Sequence, residues 1–136
     1  MDRVFLDANI LFSAAYKADS RLRLLWDLHD VQLVSSEYAF EEAKRNLGLV
    51  KPDNLNHLEA LLPRVTILPD TPSRLRFQAE LADKDKPILT AAVRAHATHL
   101  LTGDVRHFGH LLGKTVHGVL ILTPAQYFGQ REANRL

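Results

Sequence analysis

The sequence contains no cysteine among its 136 residues. This absence excludes disulfide bonds, thiolate nucleophiles and thiolate metal sites from both the stability and the chemistry of the protein. It also favours a reducing compartment, so a cytoplasmic location is the expectation. Any metal site must be built from ligands other than thiolate.

Long apolar runs and a strong net charge are missing as well. The chain begins Met-Asp-Arg before a short apolar stretch, which resembles neither a signal peptide nor the roughly 20 residues of a membrane span. We therefore expect no membrane association. The formal net charge is only +1, whereas dedicated nucleic-acid-binding proteins usually carry a clear basic excess. The distribution of charges, rather than their sum, must point to any substrate.

The remaining composition predicts one globular domain over residues 1–136. Hydrophobic residues make up 46% of the chain and charged residues 24%, without repeats or a long Gly/Ser linker. Five apolar runs predict strands: Val4–Leu6, Val31–Val34, Val65–Leu68, His99–Leu101 and Val119–Leu122. Between them lie helical patterns at roughly 9–17, 20–29, 37–48, 53–62, 73–82, 86–97 and 124–132. This alternation predicts an α/β fold with a parallel sheet covered by helices on both faces. In such folds, binding and catalytic sites lie at the carboxyl ends of the strands.

Two aspartates follow predicted strands. Asp7 comes directly after the first apolar run, and Asp104 comes after the fourth run and Gly103, a residue that permits a tight turn. Both positions are suited to a site at the carboxyl edge of a sheet. The alternative for each aspartate is a capping or turn role before the next helix, and the two fragments alone leave it open.

Helix phase selects a third acid. In the segment 37–47, four apolar side chains form one stripe at helical spacing: Ala39, Phe40, Ala43 and Leu47. At about 100° per residue, this stripe turns Glu42 toward the margin of the buried face and Glu41 toward solvent. Glu42 is therefore the better candidate ligand, with a solvated surface glutamate as the alternative.

The same reasoning selects a fourth acid. Pro87 and the apolar run that follows it predict a helix start, because proline is favoured in the first turn. Asp85 then lies on the same side as Leu89 and His96, whereas Asp83 points to the opposite side. Asp85 is thus the predicted functional residue, although an N-cap role is equally compatible with this fragment.

Four acids at matching topological positions predict a metal site. Crowded carboxylates repel each other and raise one another's pKa unless a cation neutralises them. Oxygen ligands suit Mg²⁺ or Mn²⁺, and such ions promote attack on a phosphodiester. The seven histidines include no HExxH or comparable ligand pair, and we interpret them as mostly structural. His107 is the exception, because it lies in the turn after Asp104 and could face a phosphate.

Four segments, in this order, resemble the successive motifs of PIN domains: VFLDANILFSA, EEAKRNL, DKDKPILTAAV and HLLTGDVRHFG. The resemblance runs from Val4 to the closing ILTPAQYF and is strongest for bacterial toxins of the VapC type. It implies a three-layer α/β/α sandwich with a central parallel sheet of about five strands, and Mg²⁺- or Mn²⁺-dependent cleavage of single-stranded RNA. By motif position, the metal would be held by Asp7, Glu42, Asp85 and Asp104.

The resemblance also implies supporting residues and partners. Asn9 matches a small polar residue two places after the first acid, and Thr102 matches a hydroxyl before the fourth; both would support the ligands. Many relatives carry a further acid shortly after the fourth, where this chain has Val105-Arg106-His107, so the number of metal ions stays open. As the toxin of a type II toxin-antitoxin pair, the protein would have a cognate antitoxin and form a homodimer.

Four basic residues flank the predicted ligands in sequence and are candidates to steer an RNA backbone: Arg45, Lys84, Lys86 and Arg106. Two alternative functions remain. A haloacid-dehalogenase-type phosphoryl-transfer enzyme also begins with an apolar strand and an aspartate, but Asn9 stands where its second aspartate belongs. A catalytically inactive PIN fold that binds RNA or protein is the other alternative, and metal-dependent cleavage of RNA would distinguish it.

Overall fold

The computed structural model describes residues 1–70 and 81–134. Within these residues a six-stranded sheet has the order β3-β2-β1-β4-β6-β5. Its strands are β1 (Asp2–Leu6), β2 (Val31–Ser36), β3 (Val65–Leu68), β4 (His99–Leu101), β5 (Thr115–Val116) and β6 (Val119–Leu122). All neighbouring pairs from β3 to β6 are parallel. The five predicted strands and their parallel arrangement are thus confirmed.

Strand β5 was not predicted, and it makes the sheet mixed rather than wholly parallel. It pairs antiparallel with β6 through a two-residue turn of His117 and Gly118, whose φ angles are 48° and 85°. Two consecutive positive φ angles are the mark of a type I′ hairpin turn. The sequence signal was weak because the strand has only two residues and the turn lacks the usual Asn-Gly or Asp-Gly pair.

Helices cover the two faces of this sheet. In the described part of the chain the α-helices are α1 (Ala8–Tyr16), α2 (Glu37–Val50), α3 (Leu55–Leu61), α4 (Lys86–Arg94), α5 (Val105–Phe108) and α6 (Pro124–Ala133). Helix α1 packs against α2 and α3, and α4 packs against β2 and β4. Right-handed crossovers that run in opposite directions along a sheet place their helices on opposite faces. The predicted three-layer α/β/α architecture follows from this topology.

Two helix predictions need correction, and a third falls almost entirely on residues that the structure does not describe. The pattern at 20–29 forms a 3-10 helix, Arg21–Asp27, rather than an α-helix. The helix predicted over 86–97 ends at Arg94, and His96 has a φ of 55° and is exposed, so it does not share the buried side of α4 with Asp85. The helix predicted at 73–82 lies almost entirely outside the described residues.

The core positions the site. Val4, Phe5 and Leu6 of β1 are fully buried, as expected for a strand covered on both faces. Leu6 pairs with Leu101 at the end of β4, so the residues that follow these two strands meet at one edge of the sheet. None of the described helices is long and apolar enough to cross a bilayer.

Candidate active site

A cleft of about 580 Å³ opens at the carboxyl edge of the sheet. Its volume falls within the range of about 300–1,000 Å³ that is typical of ligand sites. The cleft is lined by all four acids that the sequence selected: Asp7, Glu42, Asp85 and Asp104. Their neighbours Glu41 and Asp83 are exposed and do not line it. Helix phase thus separated Glu42 from Glu41, whereas Asp83 and Asp85 both precede α4.

Asp7 follows β1 and is the N-cap of α1. One carboxylate oxygen, Oδ1, accepts a hydrogen bond from the backbone N–H of Ala8 at 2.6 Å. The other oxygen, Oδ2, accepts from Asn9 Nδ2 at 3.1 Å and from the Thr102 hydroxyl at 2.8 Å. The capping role and the position in the cleft therefore coexist in one buried side chain, whose orientation is fixed by three hydrogen-bond donors.

Thr102 and Asn9 connect the ends of β1 and β4. The Thr102 hydroxyl, which donates to Asp7, also accepts from the backbone N–H of Asp104 at 3.0 Å. Asn9 Oδ1 accepts from the backbone N–H of Gly103 at 2.7 Å. A Cβ at Gly103 would lie only 3.2 Å from Asn9 Oδ1, whereas the positive-φ glycines of the described region lie elsewhere. Glycine at this position thus permits close approach, and the tight turn that the sequence suggested is present, because the backbone N–H of Val105 donates to the Gly103 carbonyl at 3.0 Å.

Asp104 is the N-cap of the short helix α5, and His107 on that helix faces it. Asp104 Oδ1 accepts from the backbone N–H of His107 at 3.1 Å, and Asp104 Oδ2 lies 2.6 Å from His107 Nδ1. Burial alone would raise the pKa of Asp104, but the hydrogen bonds and charge of His107 outweigh burial and lower it. The His107 ring is therefore directed at the acids.

Asp85 precedes α4 and has only 7% of its surface exposed. Its side chain makes no capping hydrogen bond. Its Oδ2 atom is buried and has no hydrogen-bond partner in the described structure; the nitrogen His107 Nδ1 is 3.8 Å away, too far for a hydrogen bond. Burial raises the pKa of Asp85 and the charge of Asp104 adds to this, whereas His107 and Lys84 oppose it. A buried carboxylate oxygen without a partner is costly and needs an explanation.

The raised pKa of Asp7 also indicates that the cleft disfavours unneutralised carboxylates. Burial and, to a smaller extent, the charges of Asp85 and Glu42 raise its pKa to about 6, against the hydrogen bonds from Thr102 and Ala8, which lower it. At neutral pH the acids repel one another inside a cleft that is partly shielded from water. A cation bound among them would relieve this repulsion.

The atoms that could hold such a cation form a tight group around α5. Asp85, Asp104 and His107 each offer one ligand atom, and these three atoms lie within 4.8 Å of one another. Asp7 and Glu42 line the same cleft but stand outside this group. Two of the four predicted acids are thus gathered most closely, together with a histidine that the sequence did not select as a ligand.

The four predicted basic residues are not gathered in the same way. Lys84 lines the cleft. Lys86 pairs through its Nζ with the exposed Asp83 at 2.9 Å. Arg45 and Arg106 are exposed and do not line the cleft. Only Lys84 is therefore placed at the acidic site itself.

Tyr38 is a neighbour of the site that sequence reasoning missed. Its hydroxyl donates to the backbone carbonyl of Lys84 at 3.0 Å, in the segment that carries Asp85. Burial raises the pKa of Tyr38, and the charges of Glu42 and Asp85 raise it further. Its spacing of four residues before Glu42 on α2, which puts the two side chains on one helix face, was the available signal.

Comparison with known proteins agrees with this architecture. A family model described as PIN domain matches residues 3–106. The solved structure of VapBC2 from Rickettsia felis, bound to a DNA fragment from its promoter, is similar with a TM-score of 0.69 and 17% identity, over 89% of this chain and 98% of that one. No curated protein matches the sequence.

Two further solved structures share the fold. VapBC-1 from nontypeable Haemophilus influenzae has a TM-score of 0.57 and 17% identity, over 89% of this chain and 97% of that one. Mycobacterium tuberculosis VapC20, described as a toxin that cleaves the sarcin-ricin loop, has a TM-score of 0.56 and 12% identity, over 76% of this chain and 92% of that one. Because the family model spans most of the sequence, the chain belongs to the PIN-domain family.

Proposed function

We propose that this PIN domain, spanning residues 1–136, is a ribonuclease that cleaves single-stranded RNA with the help of Mg²⁺ or Mn²⁺. The observation that carries the proposal is the buried, unpartnered Oδ2 atom of Asp85. It lies in a cleft that three further acids line, Asp7, Glu42 and Asp104. A fold does not retain such an arrangement for its own stability, since each buried carboxylate without a counter-charge destabilises it.

The residues of the cleft fit a hard divalent cation. They offer carboxylate oxygens, the adjacent His107 offers one imidazole, and the chain has no thiolate. We propose that Asp7, Glu42, Asp85 and Asp104 hold the ion. When bound, it would supply Lewis-acid stabilisation of the charge that develops on a phosphodiester and would acidify a water molecule.

The protein's own contribution is to orient these ligands before substrate arrives. Thr102 donates to Asp7 and accepts from the backbone of Asp104, so one hydroxyl couples the carboxyl ends of two adjacent strands. Asn9 reinforces this coupling through Asp7 and Gly103. We propose that Asn9 and Thr102 hold the first and fourth acids in fixed positions, as such supporting contacts commonly do around metals.

Substrate binding would use the basic side chains around the cleft. Lys84 lines the cleft, so we propose that it contacts a phosphate that enters it. Lys86 can exchange its exposed ion pair with Asp83 for a phosphate at little cost, because surface pairs contribute little. We propose that both lysines, with the exposed Arg45 and Arg106, guide the RNA backbone without reading its sequence.

A toxin of the VapC type is the biological role that this proposal favours. Two of the similar structures are VapBC proteins and a third is a VapC toxin. By analogy of fold, we propose a cognate antitoxin as partner, a homodimer as the assembly and the cytoplasm as the location. A neighbouring reading frame that encodes a small DNA-binding protein would support the antitoxin.

The test is cleavage of an unstructured RNA by wild type, Asp85→Asn and Asp83→Asn, with Mn²⁺ or Mg²⁺ and with EDTA. Wild type should cleave, and EDTA should abolish the activity. Asp85→Asn should lose at least about tenfold in rate, although it removes a buried charge and should fold at least as stably as wild type. Asp83→Asn, two residues away and exposed, should keep its activity. Absence of metal-dependent cleavage by wild type would instead favour the alternative of a PIN fold that only binds RNA or protein.

A further inference from the structure

His107 is held among the acids of the cleft. Its backbone N–H donates to Asp104 Oδ1, and its ring Nδ1 lies 2.6 Å from Asp104 Oδ2. The same nitrogen is 3.8 Å from the unpartnered Oδ2 of Asp85. The ring is partly buried. One nitrogen atom thus faces two carboxylate oxygens from two different helix starts.

A hydrogen bond to Asp104 accounts for only part of this geometry. It leaves the Asp85 oxygen buried and unsatisfied, although Asp85 is more than nine-tenths buried. Two metal–ligand bonds of about 2.1 Å each together exceed the 3.8 Å between His107 Nδ1 and Asp85 Oδ2, so one ion can contact both atoms. An ion at this point would satisfy the orphaned oxygen, which the histidine alone does not.

We infer that His107 is a nitrogen ligand of the metal ion and that the site consequently prefers Mn²⁺ to Mg²⁺. The inference rests on the proposed function, because it presupposes an ion in this cleft. Mg²⁺ takes oxygen ligands and water almost exclusively, whereas imidazole nitrogen is a common ligand of first-row transition ions. For Nδ1 to coordinate, the ring must carry its proton on Nε2. One nitrogen among oxygens shifts the site from an alkaline-earth toward a transition-metal preference.

The direct test is pulsed electron paramagnetic resonance of Mn²⁺ bound to the whole protein, where a coordinating ¹⁴N modulates the electron spin echo. Wild type should show this nitrogen modulation. His107→Asn removes the ligand and His107→Asp replaces it by a carboxylate, so both variants should lose the modulation. His110→Asn, which changes an exposed histidine three residues further along the chain, is the matched control and should retain it.

Competition between the ions tests the preference independently of activity. Wild type should bind Mn²⁺ at least about tenfold more tightly than Mg²⁺, and His107→Asp should reduce this ratio because all its ligands are oxygen. Bound Mn²⁺ without nitrogen modulation in wild type would overturn the inference but leave the proposed function intact, since the acids alone would hold the ion. Modulation that persists in His107→Asn would overturn it too. Failure of wild type to bind Mn²⁺ saturably would overturn both proposals.

Discussion

Ionisation of Asp7 should make the metal-free protein less stable. Asp7 is 4% exposed, and burial raises its pKa from the ordinary value of 3.8 to about 6. Because the folded protein holds this proton more tightly than the unfolded chain does, the free energy of unfolding should fall as the pH rises. The contribution of Asp7 is complete below about pH 4, is lost between about pH 4 and 6, and stays lost above that window.

The size of the effect follows from the same two values. One pKa unit corresponds to about 1.36 kcal/mol, so the ionised Asp7 should lower the free energy of unfolding by about 3 kcal/mol. Asp7→Asn removes this charge but also replaces one acceptor oxygen, because Ala8, Asn9 and Thr102 all donate to the carboxylate. Losing one such acceptor costs about 1 kcal/mol. The variant should therefore be slightly less stable than wild type near pH 4 and about 2 kcal/mol more stable near pH 7.5.

Urea denaturation of metal-free wild type, Asp7→Asn and Asp83→Asn between pH 4 and 8 measures this crossover. The difference between wild type and Asp7→Asn reports Asp7 together with its electrostatic coupling to Asp85 and Glu42, because the remaining groups titrate in both proteins. Asp83 is exposed, so Asp83→Asn should stay within about 0.5 kcal/mol of wild type. A difference between wild type and Asp7→Asn that does not vary with pH would refute the reasoning, since it would mean that the fold imposes no penalty on the Asp7 carboxylate.

Two other predictions follow from the same cleft. Glu42→Gln should reduce the rate of RNA cleavage by about tenfold or more at limiting metal, whereas Glu41→Gln on the exposed side of α2 should leave the rate nearly unchanged. The cleavage rates of the two variants are measured side by side, and equal losses would contradict the helix phase. Increasing concentrations of Mn²⁺ or Mg²⁺ should raise the melting temperature, because the ion binds only the folded protein, and EDTA should reverse the rise. A melting temperature that millimolar ions do not change would contradict a metal site.

Much of the architecture was predictable because periodicity reports burial directly. The run Val4–Leu6 is fully buried, as an uninterrupted apolar strand in a parallel sheet must be. On α2, the predicted stripe left Glu41 exposed and Glu42 partly buried. Such features depend only on the local periodicity of apolar residues, so they can be predicted from the sequence.

Features that depend on contacts distant in sequence were not predictable. The extent of α4 is one case, because its apolar pattern continues to Ala97 while the helix itself ends at Arg94 and His96 adopts a positive φ. His107 is another. Its spacing from Asp104 allows a contact within α5, but only the arrival of Asp85 from the start of α4 creates a group of three ligand atoms. A periodic pattern contains no information about which elements meet at their ends.

The capping alternatives for the aspartates show why single fragments remained ambiguous. Sequence reasoning treated the helix cap and the metal ligand as competing roles, yet Asp7 accepts from Ala8 through Oδ1 and meets Thr102 and Asn9 through Oδ2. Asp104 divides its oxygens similarly between the His107 backbone and the His107 ring. A carboxylate has two oxygens, so one can fix the side chain to the helix start while the other faces the cleft. Asp85 makes no capping hydrogen bond, and one of its oxygens has no hydrogen-bond partner. The contacts within the fold therefore do not explain why this carboxylate is buried, whereas a bound cation would.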